Sequence, residues 1–173
     1  MQEIEAKILG INPVELESKL TAIGAQRIIK RTMKNTFFEN AEGIFLRLRQ
    51  DGDRYILTRK IMTVSENIGI KSAQELETDV SDPAALIQIL ESIGFSEWRT
   101  LSKIRTTYTL ADNVHIEIDE YPNIPPLLEI EAPSEDIILS LAKQLGYTQS
   151  DLSSLSTLGL EEHYGVTLQE TNR

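Results

Sequence analysis

The chain has 173 residues, 40% of them hydrophobic and 25% charged, a composition that predicts one globular domain over 1–173 with a sizeable core. Its formal net charge of −10 repels phosphate backbones at long range, so no nucleic-acid partner is expected. Without cysteine there is no disulfide framework, thiol nucleophile or zinc–thiolate site, and without a signal-like start or an apolar run of about 18 residues the chain reads as soluble and cytoplasmic, with no membrane partner.

The chain opens on an alternating stretch over 2–9. Side chains on a strand alternate with a period of two, so Glu3, Glu5 and Lys7 share one face while Ile4 and Ala6 share the other. A helix over 13–24 follows, with Asn12 as its cap, Pro13 at its first position and Gly24 as its stop. Strands are predicted near 31–39, 44–50 and 54–61. The middle one carries Arg47 and Arg49 opposite Leu46 and Leu48. In the third, Arg54, Ile56, Thr58 and Lys60 share a face, with Arg59 on the other face as a rival to Lys60. Residues 62–71 read as a loop. A strand near 72–80 bearing Glu75 and Glu77 leads to a second helix, 83–94, again framed by a polar cap, a proline and a glycine: Asp82, Pro83 and Gly94. Strands near 101–110, 113–120 and 127–132 then present Lys103 and Arg105, Glu117 and Asp119, and Glu129 and Glu131. A third helix, 134–146, stops at Gly146. Residues 149–157 read as a Ser-rich linker, and the tail from Leu158 as a short helix near 160–164 with a frayed end.

An offset of 70 residues superimposes the first half on the second. The Asn-Pro helix falls on the Asp-Pro helix, Thr36-Phe37-Phe38 on Thr106-Thr107-Tyr108, and Arg47-Leu48-Arg49 on Glu117-Ile118-Asp119. Spacing is kept and charge is inverted. The fold class is therefore α+β, with a β-α-β-β-β unit used twice. Strands with one charged and one apolar face can form an open sheet with its charges in water. Eight is also the number at which a closed barrel leaves room for one small ligand, and closure would place the charges inside and the helices outside.

An interior with so many charges needs neutralisation, because desolvated like charges are costly unless paired. Acidic doublets left over after pairing are hard-oxygen sites suited to Mg²⁺ or Mn²⁺. Arginines two residues apart suit neighbouring phosphate groups, which guanidinium binds bidentately. Both features in one lining call for a metal–polyphosphate ligand.

Glu3-Ile4-Glu5-Ala6-Lys7 resembles the Glu-x-Glu-x-Lys signature of the CYTH superfamily, the triphosphate tunnel metalloenzymes. The segments containing Arg47/Arg49, Arg59-Lys60, Glu75/Glu77, Lys103/Arg105, Glu117/Asp119 and Glu129/Glu131 follow in the family's order. The resemblance implies an eight-stranded antiparallel tunnel, helices packed outside, that binds a small-molecule triphosphate and one or two divalent ions. It places Glu3, Glu5, Glu129 and Glu131 on the metal and Lys7, Arg47, Arg49, Lys60, Lys103 and Arg105 on the phosphates. Glu5, Glu117 and Asp119 become the catalytic candidates, and Glu75 and Glu77 a supporting acidic pair. Family members include triphosphatases and class IV adenylate cyclases, so hydrolysis of a terminal phosphate is the simplest expectation and cyclisation of ATP to cyclic AMP the alternative. A noncatalytic polyphosphate or nucleotide sensor is the second alternative, opposed by the full acid set. Self-association as a homodimer is left open. One departure is Tyr121-Pro122-Asn123-Ile124-Pro125-Pro126, where many members have a glycine-containing turn. It bears on the tunnel mouth and on the organic end of the substrate.

Other residues carry plainer readings. His115 reads as a rim residue and His163 as solvent-facing. Trp98, Phe37, Phe38 and Tyr108 read as core packing rather than base stacking. Lacking a base pocket, the chain is expected to turn over inorganic tripolyphosphate at least as efficiently as ATP.

Overall fold

The computed structural model describes residues 2–63, 69–111 and 113–168. Its strands are β1 (Gln2–Ile8), β2 (Gln26–Asn40), β3 (Phe45–Asp51), β4 (Arg54–Thr63), β5 (Ile70–Asp79), β6 (Phe95–Leu110), β7 (Val114–Glu120), β8 (Leu127–Glu131) and the short β9 (Leu152–Ser153). The helices are α1 (Pro13–Ala22), α2 (Pro83–Ser92), α3 (Glu135–Gln144) and α4 (Thr157–Tyr164). Strand order is β5-β4-β3-β2-β6-β7-β8-β1, and β1 pairs back onto β5, from Gln2 opposite Gln74 to Ala6 opposite Ile70. All pairings are antiparallel, so the sheet closes into an eight-stranded barrel, with β9 added beside the end of β1.

The repeat is built as its signature indicates. Asn12 accepts hydrogen bonds from the backbone N–H groups of Val14 and Glu15, and Asp82 from that of Ala85, each satisfying donors the first helical turn leaves free. Gly24 and Gly94 take positive φ values of 82° and 90° after the two helices, a conformation costly for other residues.

Closure fixes which face turns inward. Residues directly opposite each other in a ladder share a face. Glu5 faces both Glu131 and Lys71, Lys7 faces Glu129, Glu129 faces Glu117, Arg105 faces Asp119, Lys60 faces Glu75, and Thr58 faces Arg47 and Glu77. The charged faces therefore line one interior. The reverse face carries Ala6, Ile8, Ile116, Ile118, Leu128 and Ile130, packed against Leu16 and Leu20 of α1 and Ile138 and Leu141 of α3. A second outer core joins Phe38 and Leu48 to Leu90 of α2.

Four features depart from the expectations. First, 62–71 is not a loop throughout: β4 runs to Thr63, β5 begins at Ile70, and 64–68 lie outside the described residues. Secondly, 149–157 is structured, with a single 3-10 turn (Gln149–Asp151) followed by β9. Thirdly, β2 and β6 are much longer than 31–39 and 101–110, because their ends at Gln26–Lys30 and Phe95–Trp98 extend beyond the barrel and lack an alternating burial pattern. Lastly, α4 does not pack on the outside as α1–α3 do. Its Leu160, with Leu168 beyond it, is buried against Leu101 and Leu127, which stand on the inward face opposite Asn35 and Asp119. The segment thus plugs one end of the barrel, with Tyr121 and Ile124 from the Pro-rich connection in the same cluster. The expected frayed end, 169–173, lies outside the described residues.

Candidate active site: a charged tunnel

Every predicted lining residue reaches the interior, and Lys60 rather than the exposed Arg59 is the one that does so. On the wall formed by β6, β7 and β8, Arg105 donates from Nε and Nη2 to Asp119 at 2.6 Å each and from Nη2 to Glu129 at 3.0 Å, and it also pairs with Glu117. Lys103 lies 2.7 Å from Asp119. Lys7 bridges Glu5 at 2.9 Å and Glu129 at 2.6 Å. Lys60 crosses from β4 to Glu3 at 2.5 Å, Glu5 at 3.1 Å and Glu75 at 3.3 Å.

The sequence reading missed Lys71, which is buried and 2.7 Å from Glu5. The signal was present, since Lys71, Ala73, Glu75 and Glu77 alternate, but it lay in the segment read as a loop. Also missed were the Arg31–Asp51 pair at 2.7 Å and the pair that holds the plug. In the latter, Arg99 binds Glu161 through two nitrogens and donates to the Leu168 carbonyl at 2.9 Å, while Glu161 accepts from the Leu168 N–H at 2.5 Å. His115 stands exposed opposite Glu131, and His163 is exposed on α4.

Pairing leaves two imbalances. Glu131 is pushed up to about 7 by burial and then by the carboxylates of Glu3, Glu117, Glu129 and Glu5, and among the described residues no lysine or arginine pairs with it. Glu3 reaches about 7 through burial and Glu5, despite Lys60. Glu117 reaches about 7 through burial together with Glu129 and Asp119, against the pull of Arg105. Glu5 shows the contrast: burial and Glu129 push it up, yet Lys7, Lys71 and Lys60 together bring it down to about 2. On β3 the imbalance is positive. Burial and the neighbouring Arg49 lower Arg47 from the ordinary arginine value, its contacts to Glu77 and Glu75 are long at 3.5 and 3.9 Å, and its Nε is buried without a partner. Among the described residues Arg49 has no ion-pair partner. In the closed ring β3 is four strands from β8, so the cationic and anionic excesses occupy opposite walls.

Hard carboxylate oxygens with surplus negative charge fit a divalent cation by donor chemistry. Among the described residues no three such side chains converge into a ready cage, because Glu3, Glu5 and Glu129 are turned onto lysines and Arg105.

The acidic excess predicts an unusual pH profile for the chelated protein. Glu3, Glu117 and Glu131 bind protons more tightly folded than unfolded, so their contribution to stability is present below about 4.5 and is lost as pH rises through about 7. Glu5, Asp119 and Glu129 are held low and act oppositely, losing their contribution as pH falls below the ordinary carboxylate range. The melting temperature in EDTA should therefore peak near pH 5 and decline toward pH 8, and Mg²⁺ should raise it more at pH 8 than at pH 5. A melting temperature that rises steadily from pH 5 to pH 8 in EDTA would contradict this.

A closed antiparallel barrel with surplus acid on one inner wall and surplus positive charge at Arg47 and Arg49 on the other defines the molecule as a charged-tunnel protein. The chain belongs to the CYTH domain family, whose model matches residues 1–156. A protein from Pyrococcus horikoshii OT3 has the same fold at 25% identity and a TM-score of 0.79, over 91% of this chain and 98% of that one. A Vibrio parahaemolyticus protein proposed as an adenylate cyclase is 15% identical with a TM-score of 0.76, over 92% and 97% of the two chains. A Hippeastrum protein, proposed as an adenylyl cyclase and described as having a dominant triphosphatase activity, is 18% identical with a TM-score of 0.65, over 96% and 97%. No functionally curated protein matches the chain. No helix among the described residues is long and apolar enough to cross a membrane.

Proposed function

We propose that the barrel is a divalent-metal-dependent triphosphate-processing site that hydrolyses the terminal phosphate of its substrate. The observation that carries this reading is the pair of opposed, incompletely neutralised walls: Arg47 and Arg49 on β3 facing the Glu131 side of the barrel. A linear triphosphate with a divalent ion supplies what each wall lacks.

In this reading Arg47 and Arg49 fork onto phosphate oxygens, with Lys7, Lys60 and Lys103 completing the cradle. Arg105 is saturated by three carboxylates, so its main role is to hold Asp119, Glu117 and Glu129 in place. Glu131 and Glu3, with Glu129 and Glu5, would hold the metal. Such an ion, of which Mg²⁺ and Mn²⁺ are the candidates, would neutralise developing charge and polarise a phosphoryl oxygen. Glu117, with Asp119 two residues along the same strand and Glu5 on β1 as the other candidates, orients the attacking water, and Glu75 and Glu77 steady Lys60 and Arg47. Catalysis is mainly positioning and electrostatic stabilisation, the general pattern for phosphoryl transfer. The Hippeastrum barrel's dominant triphosphatase activity supports hydrolysis over cyclisation.

Arg49→Ala tests the phosphate wall. Arg49 has no structural ion pair to lose, so the fold should persist, while tripolyphosphate binding weakens by about 1.5–3 kcal/mol. Calorimetric titration of tripolyphosphate and orthophosphate should show the larger loss for the triphosphate; equal losses would remove Arg49 from the site.

A further inference from the structure

The second half of the internal repeat lacks a counterpart of α3. At the offset of 70, Leu16, Leu20 and Ile23 correspond to Leu86, Leu90 and Ile93, and Ala6 on β1 corresponds to Leu76 on β5. In the first half Leu16, Leu20 and Ala6 are fully buried and Ile23 is partly buried. In the second half Leu90 is buried, but Ile93 is 63% exposed and Leu76 50% exposed. The difference is α3, which packs beside α1 on the outer face of β1 and β8, with Lys19 of α1 over the Tyr147 ring just beyond it at 5.6 Å. Among the described residues no helix takes the equivalent place over Leu76 on β5 and its neighbour β4.

The uncovered surface is apolar and nearly free of charge. α2 carries one charged residue, Glu91, where α1 carries Glu15, Glu17 and Lys19 and α3 carries Glu135, Asp136 and Lys143. Its Leu86, Ile89 and Ile93 recur at helical spacing, and Ile89, 56% exposed, stands where α1 has Lys19, which by the repeat is the flank turned toward the vacant place. A helix this apolar is ordinarily covered on more than one side. On β4 and β5 the outward residues include Leu57, Ile61 and Leu76, with a single charge, Arg59, directly opposite Leu76. Neither Arg59 nor Glu91 has an ion-pair partner among the described residues.

The other exposed apolar pair is already partly covered. Trp98, read from the sequence as core, is instead the extra residue of a β-bulge, since Glu97 pairs with Phe38 and Arg99 with Phe37, and it is exposed; Phe38 and Tyr108 are buried as expected. Its ring meets Phe45 edge-on at 5.9 Å and Phe37 at 6.5 Å, at the plugged end of the barrel.

We infer that the vacant face docks a second copy of this chain, α2 of each copy lying beside α2 of the other and against its β4–β5 surface. The repeat shows that a helix fits there, and α2 is the helix whose own apolar flank is still uncovered. The charges on the two facing surfaces are of opposite sign, so a twofold arrangement sets Glu91 of each copy toward Arg59 of the other. Two chains of net charge −10 repel, and a charge-balanced face is where they can meet. Area also favours the twofold. A helix of 10 residues is about 15 Å long and by itself falls short of the ~800 Å² per partner of a stable interface, whereas reciprocal docking engages both the helix and the strand face of each copy.

Sedimentation velocity on the full chain, without metal or substrate and over a wide concentration range, reads the outcome. The expected species has twice the chain mass and dissociates on dilution. Ile89→Lys and Leu76→Lys, one on each surface, should give monomers with unchanged far-ultraviolet circular dichroism. Val14→Lys, the same change at an exposed apolar site on α1, should leave the dimer intact. Glu91→Arg or Arg59→Glu should each raise the dimer dissociation constant by about tenfold, and the double exchange should restore it. A monomer at every concentration overturns the inference, and so does a dimer that persists in Ile89→Lys and Leu76→Lys, or a double exchange that recovers nothing.

Discussion

Glu131→Gln is expected to lower turnover by on the order of 10²–10³-fold while making the metal-free protein more stable at pH 8. The two effects have one cause. Among the described residues Glu131 has carboxylates around it and no paired cation, so its charge is a liability to the metal-free fold and, in the proposed reading, an asset once a divalent ion neutralises the group. The amide keeps the shape, removes the repulsion and removes the ligand. Its folded-state value near 7 against an ordinary 4.5 corresponds, after allowance for partial solvent screening, to roughly 1–3 kcal/mol. A higher melting temperature in EDTA, no further rise on adding Mg²⁺ and loss of phosphate release would together mark a ligand. Unchanged turnover at saturating metal would remove Glu131 from the metal site, and a lower melting temperature in EDTA would show that its charge supports the fold.

Arg105→Met should produce the largest loss of stability of any lining substitution, about 3–5 kcal/mol. Arg105 is buried and contacts Asp119, Glu117 and Glu129. Methionine fills similar space but leaves three buried carboxylates with only Lys103 and Lys7 to offset them. Chemical denaturation in EDTA should show the loss without any substrate, which separates this structural role from phosphate binding. Stability within about 1 kcal/mol of the parent would mean that water reaches these acids and that the tunnel floor is far more open than the packing indicates.

Much of this architecture is written locally. Glu3/Glu5/Lys7 and its counterparts alternate with apolar residues because each strand separates a charged interior from an apolar shell, and the Asn-Pro and Asp-Pro starts locate α1 and α2 to the residue. What sequence leaves hidden depends on contacts between distant segments. That Lys60 meets Glu3, 57 positions away, follows from barrel closure and not from spacing. Lys71 escapes notice because it begins a strand directly after an irregular segment. Trp98 escapes because the parity rule fails at a bulge, where one residue more than the partner strand shifts the faces. The plug escapes because Leu160 and Leu168 lie in and after an eight-residue helix whose periodicity is too short to declare a buried face, and because Glu161 finds Arg99 only in the folded chain. The outer ends of β2 and β6 project past the barrel, so burial imposes no pattern on them.

The proposed function is the divalent-ion-dependent cleavage of triphosphates inside the tunnel. Its most direct test is to incubate the purified protein with tripolyphosphate, thiamine triphosphate and ATP, with Mg²⁺ or Mn²⁺ and with EDTA, and to resolve the products chemically. Orthophosphate should be released from triphosphate substrates, its release abolished by EDTA, with no cyclic nucleotide formed. Cyclic AMP and pyrophosphate from ATP with Mn²⁺, with tripolyphosphate left intact, would contradict it and make the protein a cyclase.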